Sequence, residues 1–365
     1  MSPASYFVGI LSISGVSALI VPKQYPALNF QFPKPSTQSE IKPFQISVNK
    51  NFVKETIQKA SLYRPSIALE DETATNWEDG APPDEINKLA NYWAHEYNWF
   101  DIENQINANF SHFTTTLPGS GKYPHPIPVH FIHERASEGQ GEAIPLLLLH
   151  GWPSTHLEWS NVIRPLAHPS NKSSPRFNVV APDLPGFGFS PAAIYSGLGP
   201  REMGHAFDVL MHQLGYSRYA VFSTDLGWRV GMWMTQDTSS IIAHATDFFL
   251  VAPNSTDLER FARNETTTEE SIFIRSLTAF RTEDFGYAGV HDTKPLALAF
   301  ALSDSPVGFA GWVWQLMATL SDGYNYSKEE LVTSAFMLWI QGVYGNIRAY
   351  KEFGNVRHPF DPQWS

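Results

Sequence analysis

The chain has 365 residues, of which 43% are hydrophobic and 17% charged, and this balance excludes an intrinsically disordered protein. It contains no cysteine, which excludes thiolate catalysis, cysteine-ligated zinc or iron–sulfur centres, and a disulfide framework. The formal net charge of −11 leaves no basic surplus to neutralise phosphates, so nucleic acid is not an expected partner.

Residues 1–21 predict a targeting segment. Residues 6–21 are apolar or small, and residues 16–18 (VSA) resemble a small-residue cleavage site. We expect a secretory signal peptide or a short anchor that associates the chain with a membrane. The alternative is a buried N-terminal segment, because no Lys or Arg precedes Lys23. Five Asn-X-Ser/Thr sequons favour a secreted or endoplasmic reticulum-associated protein: Asn109, Asn171, Asn254, Asn264 and Asn325.

Residues 22–126 form a predicted N-terminal region. The chain is polar and proline-rich over residues 29–43, which is typical of an extended arm. Residues 44–48 (FQISV) alternate apolar and polar side chains and predict a strand. Two helices are predicted after it, over residues 51–64 and 83–97.

Residues 127–252 predict the core of an α/β fold. Short apolar runs predict strands at residues 129–133, 144–149, 178–181, 219–223 and 245–251, with helices over residues 200–214 and from Gly227. Strands that alternate with helices indicate a mainly parallel sheet covered on both faces. Residues 253–350 are helical in pattern and predict a lid over the sheet, and residues 351–365 are a short tail.

A sharp turn is predicted within residues 219–227 (YAVFSTDLG). The small residues Ser223 and Gly227 lie two positions before and after Asp225, as in a nucleophile elbow between a strand and a helix. A carboxylate there attacks carbon and forms an ester, which suits an epoxide or halide substrate. The alternative is that Asp225 is an ordinary helix N-cap.

A second turn follows the apolar strand at residues 144–149. It contains His150, Gly151, Trp152 and Pro153, which we expect to border the binding site. In hydrolases of this fold that loop gives one backbone N–H of the oxyanion hole, here Trp152, and the residue after the nucleophile, Leu226, gives the other. A turn-forming Trp-Pro with no catalytic role is the alternative. Residues 183–190 (DLPGFGFS) predict an architectural turn.

These two turns, together with further motifs that occur in the same order as in the family, resemble those of the microsomal and juvenile-hormone type of epoxide hydrolase in the α/β-hydrolase superfamily. The resemblance covers about residues 40–355. The motifs specific to that subfamily lie at residues 44–48, 76–80 (NWEDG), 92–93, 98–100 (NWF), 113–115 (FTT) and 130–133 (HFIH). They separate the chain from soluble epoxide hydrolases and from haloalkane dehalogenases.

The resemblance extends into the lid at residues 285–287 (FGY), 293–295 (TKP), 304–308 (DSPVG) and 348–352 (RAYKE). It implies that Tyr287 and Tyr350 donate a proton to the epoxide oxygen, since a phenol can protonate a leaving alkoxide. It also implies an apolar epoxide and water as substrates, with no cofactor and no metal.

The acid and the base His that the resemblance implies have no matching residues in this sequence. In this fold an orienting acid and a base His follow the lid, and a strand–helix–strand unit takes about 30 residues. Residues 351–365 are too few for it, and His358 has no strand pattern before it. We therefore expect a shortened epoxide hydrolase that turns over slowly, and His244 and His291 to be packing or surface residues. A sheet edge left open would need an oligomer or a partner chain, and a non-catalytic pseudoenzyme or binding protein is the alternative function.

Overall fold

The computed structural model describes residues 28–33, 40–71, 77–139, 141–171, 173–321 and 323–354. The predicted targeting segment and His358 lie outside these residues. Within the described part of the chain, none of the helices combines the length and apolarity needed to cross a membrane.

The N-terminal region supplies three helices and two strands. The two predicted helices are confirmed as α1 (Lys50–Ser61) and α2 (Pro83–His95). A third helix, α3 (Trp99–Asn109), was not predicted. The strands are β1 (Lys42–Pro43) and β2 (His112–Leu117), which pair antiparallel. The N-terminal region is therefore part of the main sheet.

The strand predicted at residues 44–48 is wrong. The backbone N–H and C=O of Ile46 bond to the side chain of Asn107 at 2.9 Å each, and Glu103 accepts the N–H of Val48 at 2.7 Å. Both acceptors lie on α3. At its ends the segment still touches other backbone, since Phe44 N–H bonds the carbonyl of His112 and Val48 forms an isolated bridge with Phe30. Between these ends, side chains of a helix take the hydrogen bonds that a neighbouring strand would otherwise satisfy.

The sheet has seven strands among the described residues. After β1 and β2 the chain forms β3 (Ile127–Glu134), β4 (Ile144–Leu149), β5 (Phe177–Pro182), β6 (Tyr219–Ser223) and β7 (Ile241–Thr246). The spatial order is β1-β2-β3-β5-β4-β6-β7. Strands β5, β4, β6 and β7 pair in parallel, as predicted, and β1, β2, β3 and β5 pair antiparallel.

The last strand begins earlier than the predicted range of residues 245–251. The side chain of Thr246 bonds both the N–H and the C=O of Phe248, which turns the chain out of the sheet. The rings of Phe248 and Phe249 then lie 5.9 and 5.8 Å from that of Trp228. The apolar residues after Thr246 therefore pack on a helix.

Both faces of β4, β5 and β6 are covered, whereas β7 at the sheet edge has no buried residue. In the all-leucine end of β4, Leu147 and Leu149 face one hydrophobic cluster and Leu146 and Leu148 face the other. Such alternation follows from the period of two in a strand. Helices α5 (Pro200–Gln213) and α6 (Asp225–Asp237) contribute to the first cluster, and α4 (Ser160–Ala167) contributes to the second.

The described residues from 255 to 354 are helical and contain no strand, as predicted. The helices are α7 (Ser255–Ala262), α8 (Thr268–Ala279), α9 (Gly286–Thr293), α10 (Pro295–Leu302), α11 (Pro306–Thr319), α12 (Lys328–Trp339) and α13 (Tyr344–Gly354). Helices α9 and α13 pack on each other. They carry the two tyrosines singled out in the sequence.

Candidate functional site

The candidate nucleophile Asp225 lies in a sharp turn between a strand and a helix. Strand β6 ends at Ser223, and α6 begins at Asp225 with a φ of +44°. This left-handed conformation is uncommon for a residue with a side chain and marks a strained turn. Thr224 is the N-cap residue of α6, so the alternative that Asp225 is an ordinary N-cap is wrong.

Two glycines allow the close approach of the loops around Asp225. A Cβ atom on Gly227 would lie 2.4 Å from the backbone oxygen of Leu149, at the end of β4. A Cβ atom on Gly151 would lie 2.3 Å from Oδ1 of Asp225. Both distances are far below van der Waals contact, so a larger residue at either position must move the turn or the carboxylate.

Two backbone N–H groups point at the Asp225 carboxylate. Trp152 N–H donates to Oδ1 at 2.7 Å, and the N–H of Leu226 also bonds this carboxylate. These are the two donors that the sequence predicts for an oxyanion hole. Burial raises the pKa of Asp225 to about 6, while the two N–H groups and the nearby Arg229 act in the opposite direction. The carboxylate is therefore mostly ionised at neutral pH.

The two lid tyrosines lie together above the Trp152 loop. The hydroxyl of Tyr350 donates to that of Tyr287 at 3.4 Å. The Trp152 ring is stacked on the Tyr287 ring, with centroids 5.4 Å apart, and its centroid is 6.0 Å from that of Tyr350. Burial, followed by the charge of Asp225, raises the pKa of both tyrosines, so both phenols keep their proton.

Two residues of the site were missed in the sequence. Asn346 is fully buried; its Oδ1 accepts the indole N–H of Trp152 at 3.0 Å, and its amide donates to the carbonyl of Leu338 at 3.0 Å. Arg229 lies one helical turn after Asp225 and interacts with its charge. The i,i+4 spacings of Asn346 to Tyr350 and of Asp225 to Arg229 are the signals that could have found them.

His150 holds the Trp152 loop in place through two hydrogen bonds of its ring. Its Nε2 accepts the N–H of Leu184 at 3.0 Å, so its Nδ1 carries the proton and donates to the carbonyl of Gly151 at 3.0 Å. Burial lowers the pKa of His150 to about 4, which keeps the ring neutral. Both ring nitrogens of His150 are thus hydrogen-bonded to backbone groups. The last residue of the motif, Pro153, follows a cis peptide bond from Trp152 and is partly exposed.

A buried cluster of His130, His156 and Asp183 lies beneath this loop. Each of the three residues offers an atom that could ligate a metal, and these atoms lie within 4.8 Å of one another. However, the Asp183 carboxylate already accepts the Nδ1–H groups of His130 and His156, at 2.8 and 2.9 Å, and the backbone N–H groups of His156 and Phe189. We therefore interpret the cluster as a hydrogen-bond network that ties β3, the Trp152 loop and residues 183–190 together.

Gly151→Ala is expected to slow any reaction of Asp225 by about 100-fold, because the added methyl group would lie 2.3 Å from Oδ1 and must displace the carboxylate. The rate of covalent modification of the protein by an epoxide, followed by intact mass, checks this. Gly289→Ala is the matched control, since a Cβ atom on Gly289 in α9 meets nothing within 4 Å. Equal rates for both variants would contradict the contact between Gly151 and Asp225.

The chain is similar to known proteins along most of its described length. A model of the epoxide hydrolase N terminus matches residues 41–159, and a model of the α/β hydrolase fold matches residues 144–264. Juvenile hormone epoxide hydrolase of Bombyx mori is 28% identical, over 89% of this chain and 73% of its own. Epoxide hydrolase 1 of Sus scrofa is 27% identical, over 88% of this chain and 74% of its own. A relative from Stigmatella aurantiaca is 28% identical, over 82% of this chain and 66% of its own length.

Solved structures of epoxide hydrolases superpose on this chain. The crystal structure of the Bombyx mori juvenile hormone epoxide hydrolase superposes with a TM-score of 0.70 at 26% identity, covering 89% of this chain and 77% of that one. The Aspergillus niger epoxide hydrolase, at 21% identity and a TM-score of 0.75, has the same fold. The chain therefore carries an epoxide hydrolase N-terminal region followed by a core of the α/β hydrolase fold, and it is similar to the epoxide hydrolases of the microsomal and juvenile-hormone type.

Proposed function

We propose that the protein opens an apolar epoxide by forming an ester with Asp225. The observation that carries this proposal is the convergence of the Trp152 and Leu226 N–H groups on a carboxylate at positive φ, beside a pair of protonated tyrosines. A buried anion aimed by two fixed donors is a nucleophile that needs little reorganisation. The aromatic rings of Trp152, Tyr287 and Tyr350 provide apolar walls.

The first step joins an oxygen of Asp225 to a ring carbon and breaks the bond from that carbon to the epoxide oxygen. The epoxide oxygen leaves as an alkoxide and takes the proton of Tyr287, whose hydroxyl receives a hydrogen bond from Tyr350. The resulting phenolate is stabilised by that bond and later regains a proton from water. The product of this step is a hydroxyalkyl ester of Asp225.

The second step adds water to the ester and releases a diol. It needs a group that removes a proton from water. Among the residues that the structure describes, two histidines border the candidate site, and neither offers the free lone pair of a ring nitrogen to water. His150 has both nitrogens engaged by backbone, and His291 accepts the indole N–H of Trp312 through Nε2 at 3.1 Å. We therefore propose that the ester forms faster than it is hydrolysed and accumulates. A binding protein that forms no ester is the second candidate.

The rate of ester formation is expected to fall as the pH drops below about 6. Only the ionised carboxylate attacks, and the pKa of Asp225 is about 6. The rate should be nearly constant between pH 7 and 9, because both phenols keep their proton in this range. Single-turnover rates across pH 4.5–9 check this; a profile that rises toward acid would contradict an attacking carboxylate.

Incubating the protein with styrene oxide, and following both diol and intact protein mass, separates the candidate functions. One adduct per chain that is absent in Asp225→Asn supports the accumulating ester. Diol at many turnovers supports an epoxide hydrolase with a complete second step. Neither diol nor adduct would overturn the proposal and favour the binding protein.

We also propose that the protein enters the secretory pathway. The Asn residue of every one of the five sequons is exposed, so each can accept a glycan without unfolding: Asn109, Asn171, Asn254, Asn264 and Asn325. Expression in a secretory eukaryotic cell should give a protein whose mass falls on treatment with an N-glycosidase. A mass unchanged by that enzyme would contradict the proposal.

A further inference from the structure

His291 lies inside the candidate site, although the mechanism above gives it no role. It is on α9, one turn after Tyr287, so both side chains project from the same face of the helix. Its exposure is 0%, and its ring centroid is 4.9 Å from that of Tyr350, 5.4 Å from Tyr287 and 4.8 Å from Trp152. The sequence predicts a packing or surface residue at this position. In the structure the polar ring of His291 is buried among the aromatic residues near Asp225.

The position of the proton on His291 follows from its neighbour. The indole N–H of Trp312 lies 3.1 Å from Nε2, and because an indole nitrogen can only donate, Nε2 must accept. Burial lowers the pKa of His291 to about 3, so the ring is neutral and holds one proton. That proton is on Nδ1. This tautomer also explains why His291 cannot act as the base of the second step.

The Nδ1–H of His291 has no acceptor among the described residues, and the atom is buried. A buried donor left without a partner costs about 1–3 kcal/mol. Such groups are rare in folded proteins, and each calls for an explanation such as a ligand contact. The imidazole that carries this donor packs against the rings of Trp152, Tyr287 and Tyr350, which border the proposed epoxide site.

We propose that the Nδ1–H of His291 donates a hydrogen bond to an oxygen on the substituent of the epoxide. The contact would select epoxides whose substituent carries an ether or carbonyl oxygen close to the epoxide ring. The inference rests on the proposed function for the location of the epoxide. It adds a specificity contact, because a site with a buried donor binds a hydrocarbon analogue less well when the donor is left unpaired. The epoxide oxygen itself remains the partner of the tyrosine pair.

A matched pair of epoxides tests the contact. Phenyl glycidyl ether and 4-phenyl-1,2-epoxybutane differ by one oxygen in place of one methylene group. Their dissociation constants are measured by calorimetry on Asp225→Asn, which keeps the shape of the turn and forms no ester. The comparison is repeated on Asp225→Asn/His291→Phe, so that the difference in hydrophobicity between the two ligands cancels in the ratio of ratios.

We expect the preference for the ether, relative to the hydrocarbon, to be about tenfold greater with His291 than with the Phe substitution. His291→Asn restores an N–H donor and should recover most of this preference, which a purely structural role would not predict. Equal ratios in the two proteins, or no binding of either epoxide, would overturn the inference. The measurement does not depend on ester formation, so a protein that forms no adduct still reports on His291.

If the His291 variants do not fold, NMR spectra of the protein that retains His291 test the inference. In two-bond proton–nitrogen spectra of Asp225→Asn with labelled histidine, the His291 signals should show protonation on Nδ1. That nitrogen should shift on addition of the ether and much less with the hydrocarbon. Protonation on Nε2, or equal shifts with both ligands, would overturn the inference.

Discussion

Asp225→Asn is expected to raise the free energy of unfolding by about 2–3 kcal/mol at pH 8 while it abolishes the covalent adduct. Burial raises the pKa of Asp225 from 3.8 to about 6, so the folded protein holds an anion that the unfolded chain ionises more easily. The charge therefore opposes folding. Above pH 6 this cost is fully present, and it diminishes as the pH falls toward 3.8.

The gain in stability should accordingly shrink by more than half between pH 8 and pH 4.5. Urea denaturation of both proteins at the two pH values measures it. Asparagine tolerates the left-handed backbone at this position, so the turn itself should be preserved. Asp304→Asn is a control, because its exposed ion pair with Lys59 should contribute less than about 1 kcal/mol. A loss of stability at pH 8 would mean that the two N–H donors favour the charge more than burial opposes it.

The turn at Asp225 was predictable because its sequence signal is local. A strand, a small residue, an acid and a glycine occur within residues 219–227, so the whole elbow is encoded locally. The donors at Trp152 and Leu226 could be predicted for the same reason, since each is adjacent to a turn at the end of a parallel strand. Apolar runs likewise predicted β4 and β6 with their observed ends.

Residues whose roles depend on distant partners could not be predicted in this way. Asn346 is 194 positions from Trp152 in the sequence, and its role appears only when α13 packs beside the loop. The tautomer of His291 is set by Trp312, on another helix. The same cause explains the wrong strand at residues 44–48, where side chains of α3 take hydrogen bonds that a period-two pattern assigns to a neighbouring strand.

The charge of Asp183 also depends on distant partners. Burial alone would raise its pKa, but His156 and His130 outweigh burial and hold the pKa well below 3.8. The charge of Asp183 therefore favours folding, in contrast to that of Asp225. Its contribution is present above pH 3.8 and is lost as the pH falls through the lower folded value.

Asp183→Asn is expected to lower the free energy of unfolding by about 3–5 kcal/mol at pH 7, because removing one partner of a buried charged network leaves the others unpaired. The new amide would turn an NH2 group toward donors, which are the ring N–H groups of His130 and His156 and two backbone N–H groups. Urea midpoints at pH 7 measure the loss. His156→Phe removes one ring donor and should cost less, about 1–2 kcal/mol, which provides a graded result if Asp183→Asn does not fold.

The same substitution should slow ester formation at Asp225. Asp183 accepts the backbone N–H of His156, which closes the loop that begins at His150 and contains Trp152. Loosening that loop moves the Trp152 N–H from its 2.7 Å contact with the Asp225 carboxylate. A loss of stability with an unchanged rate of adduct formation would show that the network supports the fold without positioning the oxyanion donor. A change in both would connect the buried network to the reaction.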